Sequence, residues 1–151
     1  MTPEIPPKAE DCNCLAVRQA ARHVTQFYDK FLAPAGLRTT QYSILARLKR
    51  KGPMAINALA ADLVMDRTTL GRNILPLQRD GLIAVQPGKS DRRSKELRLT
   101  DQGAARLRVA VQGWLDAQRQ FEHAFGAERT SEMRALLHAV AATDLGSAAA
   151  A

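Results

Sequence analysis

The hydrophobic period of this chain changes twice, and that order leaves few folds open. From about Asp11 to Asp80, apolar residues recur at helical steps of three and four. Between Gly81 and Thr100 they alternate in twos, and after Thr100 the helical step returns. One short β-pair between two helical stretches is therefore expected.

The first stretch divides into four helices. Cys14, Val17, Ala21, Val24, Tyr28 and Phe31 form one stripe, ended by Pro34 and Gly36. Thr39 or Thr40 is expected to cap a second helix with Tyr42, Leu45 and Leu48 inward, stopped by Lys51-Gly52-Pro53. A third runs from about Ile56 to Leu63 on Ile56, Leu59, Ala60 and Leu63. Asp66 is a natural N-cap for a fourth, reaching about Asp80 with Leu70, Ile74 and Leu77 inward and Gly81 behind it. Pro76 lies inside it and removes one backbone hydrogen bond, a conflict with a continuous helix.

Ile83 and Val85, then Leu97 and Leu99, alternate as two antiparallel strands, with turn chemistry at Gln86-Pro87-Gly88-Lys89. Thr100-Asp101-Gln102-Gly103 opens a long helix in which Leu107, Val111, Trp114, Gln118, Phe121 and Phe125 step by four and three. That heptad-like stripe calls for another long helix beside it. Gly126 breaks the helix, and Met133, Leu136, Leu137 and Val140 mark a last one. Residues 1–10, with three prolines, are expected to be a flexible arm, and 146–151 a flexible tail. Residues 11–145 then form one unit. Its outer helices (11–34 and 100–145) flank a lobe at 39–99.

At 151 residues the chain is long enough for one core. Its formal net charge of +7 favours a polyanionic partner. No run of about 18 apolar residues and no apolar leader core are present, which argues against a membrane partner and for a cytoplasmic protein. Two cysteines two residues apart are too few for a disulfide framework.

Helix, helix, short helix, tight turn, helix and β-hairpin is the order of a winged helix-turn-helix. The expected fold is therefore mainly α with a small β-hairpin wing and long terminal dimerisation helices. In such a lobe the second helix of the pair enters a major groove. With Leu70, Ile74 and Leu77 inward, that helix offers Arg67, Thr68, Thr69, Arg72 and Asn73. Arg pairs bidentately with guanine and Asn with adenine. The hairpin tip, with Asp91, Arg92, Arg93 and Lys95, suits a narrow minor groove. Residues 66–98 hold eight Lys or Arg against four Asp or Glu, a net +4 of the chain's +7. The excess charge is thus concentrated in the lobe expected to meet duplex DNA.

These residues resemble the MarR family of regulators over about Asp11 to Leu145. The most specific piece is Asp91-Arg92-Arg93-Ser94-Lys95-Glu96-Leu97-Arg98-Leu99-Thr100 with Asp101-Gln102-Gly103, similar to that family's wing and the start of its dimerisation helix. Met65-Asp66-Arg67-Thr68-Thr69-Leu70, Leu75-Pro76-Leu77 and Arg79-Asp80-Gly81-Leu82 are similar to its recognition helix. Many members carry a proline where Pro76 stands, so the resemblance implies one kinked helix. It also implies a homodimer on a pseudo-palindromic operator, with repression relieved by a small aromatic or anionic effector or by oxidation. Asp91 would shape the wing, and Arg92 and Arg93 would supply its contact.

The first helix is similar to that of the organic-hydroperoxide-sensing branch, where Cys14 falls on the reactive cysteine and Tyr28 on a thiol-contacting tyrosine. The second tyrosine of that pattern is Thr39 here. Set against this, Cys14 on the apolar stripe reads as a small buried hydrophobe. Cys12 and Cys14, if both helical, diverge too far for a disulfide. An effector pocket is expected between the dimer helices and the lobe, with Arg18, Arg22, His23 and Tyr28 as candidates.

No nucleophile elbow, metal-ligand spacing or phosphate loop is present, so the sequence points away from an enzyme and calls for no cofactor. The remaining alternative is a winged helix used only for protein contacts.

Overall fold

Capping chemistry sets most helix boundaries in the computed structural model, which describes residues 4–146. The first three residues of the expected arm and all but Gly146 of the expected tail lie outside them. A 3-10 turn at Ala9–Asp11 precedes helix α1, Asn13–Leu32. Cys12 is the N-cap of α1, extended rather than helical, and its sulfur accepts a hydrogen bond from the Leu15 N–H at 3.3 Å. A second 3-10 turn, Ala33–Ala35, ends at Gly36 with φ 73.

Helix α2, Thr39–Lys51, is capped differently from the expectation. The N-cap is Arg38, whose N–H donates to Gln41 Oε1 at 3.0 Å. Thr39 turns to α1, its N–H and hydroxyl donating to Asp29 Oδ1 at 2.8 and 2.7 Å. A carboxylate from another helix thus does the work expected of a local threonine.

Strand β1, Met54–Ala55, leads into α3, Ile56–Asp62, and α4, Arg67–Arg79. In the turn between these helices Val64 sits at φ 53. A left-handed β-branched residue costs on the order of 1–2 kcal/mol, so the packing on either side must hold the turn. Helix α4 runs unbroken through Pro76, as the resemblance implied, and Gly81 behind it has φ 75.

Strands β2, Ile83–Pro87, and β3, Lys95–Leu99, pair antiparallel from Ile83↔Leu99 to Pro87↔Lys95. Gln86 and Pro87 therefore lie in a strand rather than in the turn, which shrinks to 88–94. Strand β1 adds to β3 through Met54↔Leu97 and Ala55↔Glu96, giving the order β1-β3-β2. A strand of two residues carries no readable alternation, so the sequence reading missed it.

Leu32, Ile44, Leu45, Leu59, Leu70, Leu77 and Leu97 are the largest fully buried side chains. They come from α1, α2, α3, α4 and β3, so the lobe and the end of α1 share one core.

Helix α5, Asp101–Phe125, starts at Thr100, whose Oγ1 accepts from the Gly103 N–H at 3.0 Å and donates to the Gly81 carbonyl at 2.6 Å. Its buried positions are Gly103, Leu107, Ala110 and Ala117. The expected stripe is right about a long helical partner, since α5 packs along α1. It misjudges the face, because Val111 is exposed while two alanines and a glycine go inward. Small residues let two backbones close together. A Cβ on Gly113 would overlap the Phe31 carbonyl oxygen, and one on Gly103 the Leu82 carbonyl oxygen. Helix α6, Ala127–Ala142, carries Leu136, Leu137 and Val140 on one side, all exposed.

Two predictions follow from these contacts. Gly→Ala inside an open helix stabilises by about 1 kcal/mol, which is the expectation for Gly71→Ala, where nothing lies within 4 Å of the added methyl. At Gly113 overpacking costs about 1–3 kcal/mol and reverses the sign. Urea unfolding of both variants checks this, and equal stabilisation would remove the close α1–α5 approach.

The second concerns the N-cap of α4. Asp66 accepts from the Thr69 N–H at 2.8 Å and from its hydroxyl at 2.7 Å. Those bonds, the backbone one foremost, hold its carboxyl below the ordinary aspartate value. A depressed pKa means the cap is fully formed above the ordinary value and is lost as pH falls through the lowered one. Carboxyl 13C NMR should find Asp66 titrating below an unfolded-peptide aspartate, and an unshifted midpoint would deny the cap.

Candidate nucleic-acid interface

The outward face of α4 follows from its buried one. At about 100° per residue, the direction opposite Leu70, Ile74 and Leu77 is taken by Thr68, Arg72, Leu75 and Arg79. Thr68 and Arg72 are sequence-expected. Leu75, 65% exposed, and Arg79 were not singled out by sequence reasoning, though angular bookkeeping over the whole helix would have found them. Arg79 leans on its neighbour Asp80 at 3.3 Å.

Other expected contacts are held by the helix itself. The Thr69 hydroxyl is committed to Asp66, and Asn73 Nδ2 donates to the Thr69 carbonyl at 2.9 Å. Asn73 lies on the flank, beside a cavity of about 400 Å³ lined also by Asp29, Thr39 and Pro76. That bond uses one of the two N–H donors of its amide. Arg67 stands exposed at the first turn.

The wing loop is folded by Asp91. Its side chain accepts from the Arg93 N–H at 2.9 Å, and its carbonyl accepts from the Ser94 N–H and hydroxyl at 3.1 and 2.8 Å. Gly88 donates to the Ser94 carbonyl at 2.8 Å, and a Cβ there would press on the Ser94 hydroxyl and the Asp91 carbonyl. With Asp91 turned into the loop, Arg92 and Arg93 are left exposed at its tip. Lys95 is exposed at the first position of β3. Among the described residues no ion pair engages Arg67, Arg72, Arg92, Arg93 or Lys95. Five cations without acidic partners, on two elements joined through α4 and β2, form a surface with charge to give to a polyanion.

The candidates on α1 are not brought together. Arg18 and Arg22 are exposed, while His23 lines a cavity of about 370 Å³ between α1 and α5 with Phe27, Lys30, Phe121 and Phe125. Tyr28 is on another side, its hydroxyl donating to Gln118 Oε1 and its pKa raised by burial first and by Glu122 second. A larger cavity, about 700 Å³, opens between α2 and α5. Tyr42 and Trp114, stacked at 6.0 Å and 14°, form its aromatic wall, with Leu63, Leu107 and Val111 beside them and Arg47, Lys49 and Arg50 at its edge. Sequence reasoning missed it because its lining comes from residues 42 to 114.

Cys14 is exposed, which corrects its reading as a buried hydrophobe. The first turns of α1 carry mostly exposed residues, so a stripe there has nothing to pack against within the chain. Cys12, as an N-cap, does not meet the condition under which the two thiols were placed on diverging helical faces. Cys14 and Tyr28 are separated along one helix by about 21 Å at ~1.5 Å per residue, so the expected thiol–tyrosine pair does not form within one chain.

The sequence profile of the MarR family matches residues 37–95, from just before α2 to the first residue of β3. The HTH-type transcriptional regulator PecS of Dickeya dadantii (strain 3937) is 31% identical over 112 residues, covering 72% of this chain and 68% of PecS. The M. tuberculosis transcriptional regulator MosR, crystallised in complex with DNA, is 36% identical, with a TM-score of 0.75 over 86% of this chain and 96% of that one. A second crystal structure of MosR gives 34% identity and a TM-score of 0.76 over 90% and 100% of the two chains. Helix order, wing and sequence agree: this chain belongs to the MarR family of winged helix-turn-helix transcriptional regulators.

Proposed function

We propose that this regulator is a homodimeric repressor that binds a pseudo-palindromic duplex operator and is released by a small aromatic anion. The observation that carries the DNA reading is the pairing of Thr68 and Arg72 on the outward side of α4 with Arg92 and Arg93 at the wing tip, all exposed and free of acidic partners. Helix α4 reads base edges in the major groove, and the wing lays its arginines along the backbone and the narrow groove beside it. The MosR crystal structure in complex with DNA supports the same use of this fold.

Dimerisation is supported by apolar surface that one chain leaves bare. Leu136 is 68% exposed, Leu137 45% and Val140 53%, and Val17 on α1 adds 47%. Burying such side chains is favourable by about 25 cal/mol per Å². Two α4 helices would then enter successive major grooves about one helical turn apart. Release by an aromatic anion is supported by the α2–α5 cavity, where an aromatic wall meets Arg47, Lys49 and Arg50. This cavity takes the place of the α1 residues expected from sequence.

Titration of duplex DNA from upstream of the protein's own gene, at fixed salt, tests the reading, with reduced and hydroperoxide-treated protein compared. Arg92→Ala and Arg93→Ala should weaken operator and random duplex alike and reduce the salt slope by about 1 each. Arg72→Ala should instead lose about 1–3 kcal/mol on the operator and relax preference at one base pair. Parallel loss on operator and random duplex in the Arg72 variant would reassign it to the phosphate backbone. Absence of salt-dependent duplex binding by the unaltered protein would leave a protein-contact module.

A further inference from the structure

Helix α4 carries a glycine that its own packing does not require. Gly71 is the fifth of 13 residues in that helix. A glycine there weakens a helix, because it frees the unfolded chain and supplies no side chain. Gly103 and Gly113, inside α5, have an internal reason, since backbone of other elements presses on each. Gly36 and Gly81 have another, since both take positive φ. Gly71 has neither: it is helical, and nothing lies within 4 Å of the place a Cβ would take. The chain itself leaves that space empty.

Residues three and four apart are neighbours on a helix surface, so Thr68 and Leu75 border the gap at Gly71. Leu75 is 65% exposed, and Thr68 and Arg72 are exposed beside it. A single exposed leucine is ordinary. This one stands away from the core, on the side of α4 that carries Arg72, and next to backbone stripped of its side chain. Leu75 and Gly71 together make a shallow apolar seat with Thr68 at its rim. The one apolar group that base edges offer in a major groove is the C5-methyl of thymine.

We infer that Gly71 and Leu75 form a seat for one thymine methyl of the operator, Leu75 packing on the methyl and Gly71 making room for it. This rests on the DNA reading above and adds a base-reading element with no hydrogen bond in it. Arg72, next to Gly71 in sequence, reads by donated hydrogen bonds, so the two halves of the face select by different chemistry. An alanine at 71 would put its own methyl where the thymine's goes. The helix therefore forgoes the stability an alanine would add, and the vacancy serves the duplex rather than the fold.

The probe is the tightest duplex selected from a random-sequence pool, remade with deoxyuridine for thymine at one position at a time. That exchange removes the C5-methyl and leaves the base pair intact. The unaltered protein should lose about four-fold in affinity at one position of each half-site, the worth of one buried methyl. Leu75→Ala should bind the thymine and deoxyuridine duplexes equally at that position. Gly71→Ala, folded and more stable in urea, should reverse the preference and bind the deoxyuridine duplex more tightly, because the methyl has moved from base to protein. The inference is overturned if no deoxyuridine position weakens the unaltered protein. It is equally overturned if the ratio persists in Leu75→Ala, or if Gly71→Ala leaves it unchanged. Salt-dependent binding of random duplex, measured alongside, separates the two readings. Its persistence in any of these failures leaves the DNA reading standing, whereas its absence in the unaltered protein removes both.

Discussion

Helix α5 can serve both halves of the molecule because glycines and alanines on its inward face, around the buried Leu107, let other backbones come close. Gly113 lets its backbone meet the Phe31 carbonyl of α1, and Gly103 lets it meet the Leu82 carbonyl at the start of the wing. Ala110 and Ala117 continue that face. Thr100 fixes the starting point, capping α5 while its hydroxyl holds the Gly81 carbonyl behind α4. One helix thereby sets the distance between the terminal helices and the lobe, and close-packed backbones leave little room for continuous adjustment. A change at one end must reach the other by a shift of whole elements.

The winged lobe separates side chains that hold its shape from those free to act. On α4, Leu70, Ile74 and Leu77 enter the shared core, Asp66 and Thr69 close the N-terminus, and Asn73 folds onto its own helix. Arg67, Thr68, Arg72 and Leu75 are left over. In the wing, Asp91 folds the loop through three hydrogen bonds, and its charge is satisfied locally rather than by the neighbouring guanidinium groups. Arg92 and Arg93 therefore project from a loop whose backbone is already ordered. A preorganised cation loses less freedom on meeting a phosphate than one on a mobile chain.

The thiols lie far from the winged lobe, whereas the α2–α5 cavity borders it. Cys14 lies at the outer end of a helix whose first turns make few contacts, while Tyr28 is bonded to Gln118 some four turns away. The cavity instead touches α2, α5 and the end of α3, with Arg47 shared between it and Asp62. The cavity thus lies next to the helix pair that carries Thr68 and Arg72.

Short-range physics made much of this legible from sequence. Asp66 capping, Gly81 at positive φ, the core positions Leu70, Ile74 and Leu77, and the β-pair around a basic turn all depend on residues within a few positions of one another. The outward Thr68 and Arg72 followed from that periodicity, and the wing tip from its charge. Contacts between distant residues were beyond such reasoning. Strand β1 exists because Met54 and Ala55 meet Leu97 and Glu96, and Thr39 is anchored by Asp29 on another helix. The inward face of α5 was misjudged because hydrophobic period ranks Val111 above Ala110 and Gly113, whereas close backbone approach rewards the absence of a side chain. The sequence by itself determined which elements form and which cations the lobe presents. Only the tertiary structure decided which faces meet, where the cavity opens and which partners Asp62 and Tyr28 find, because those depend on distances that no local pattern records.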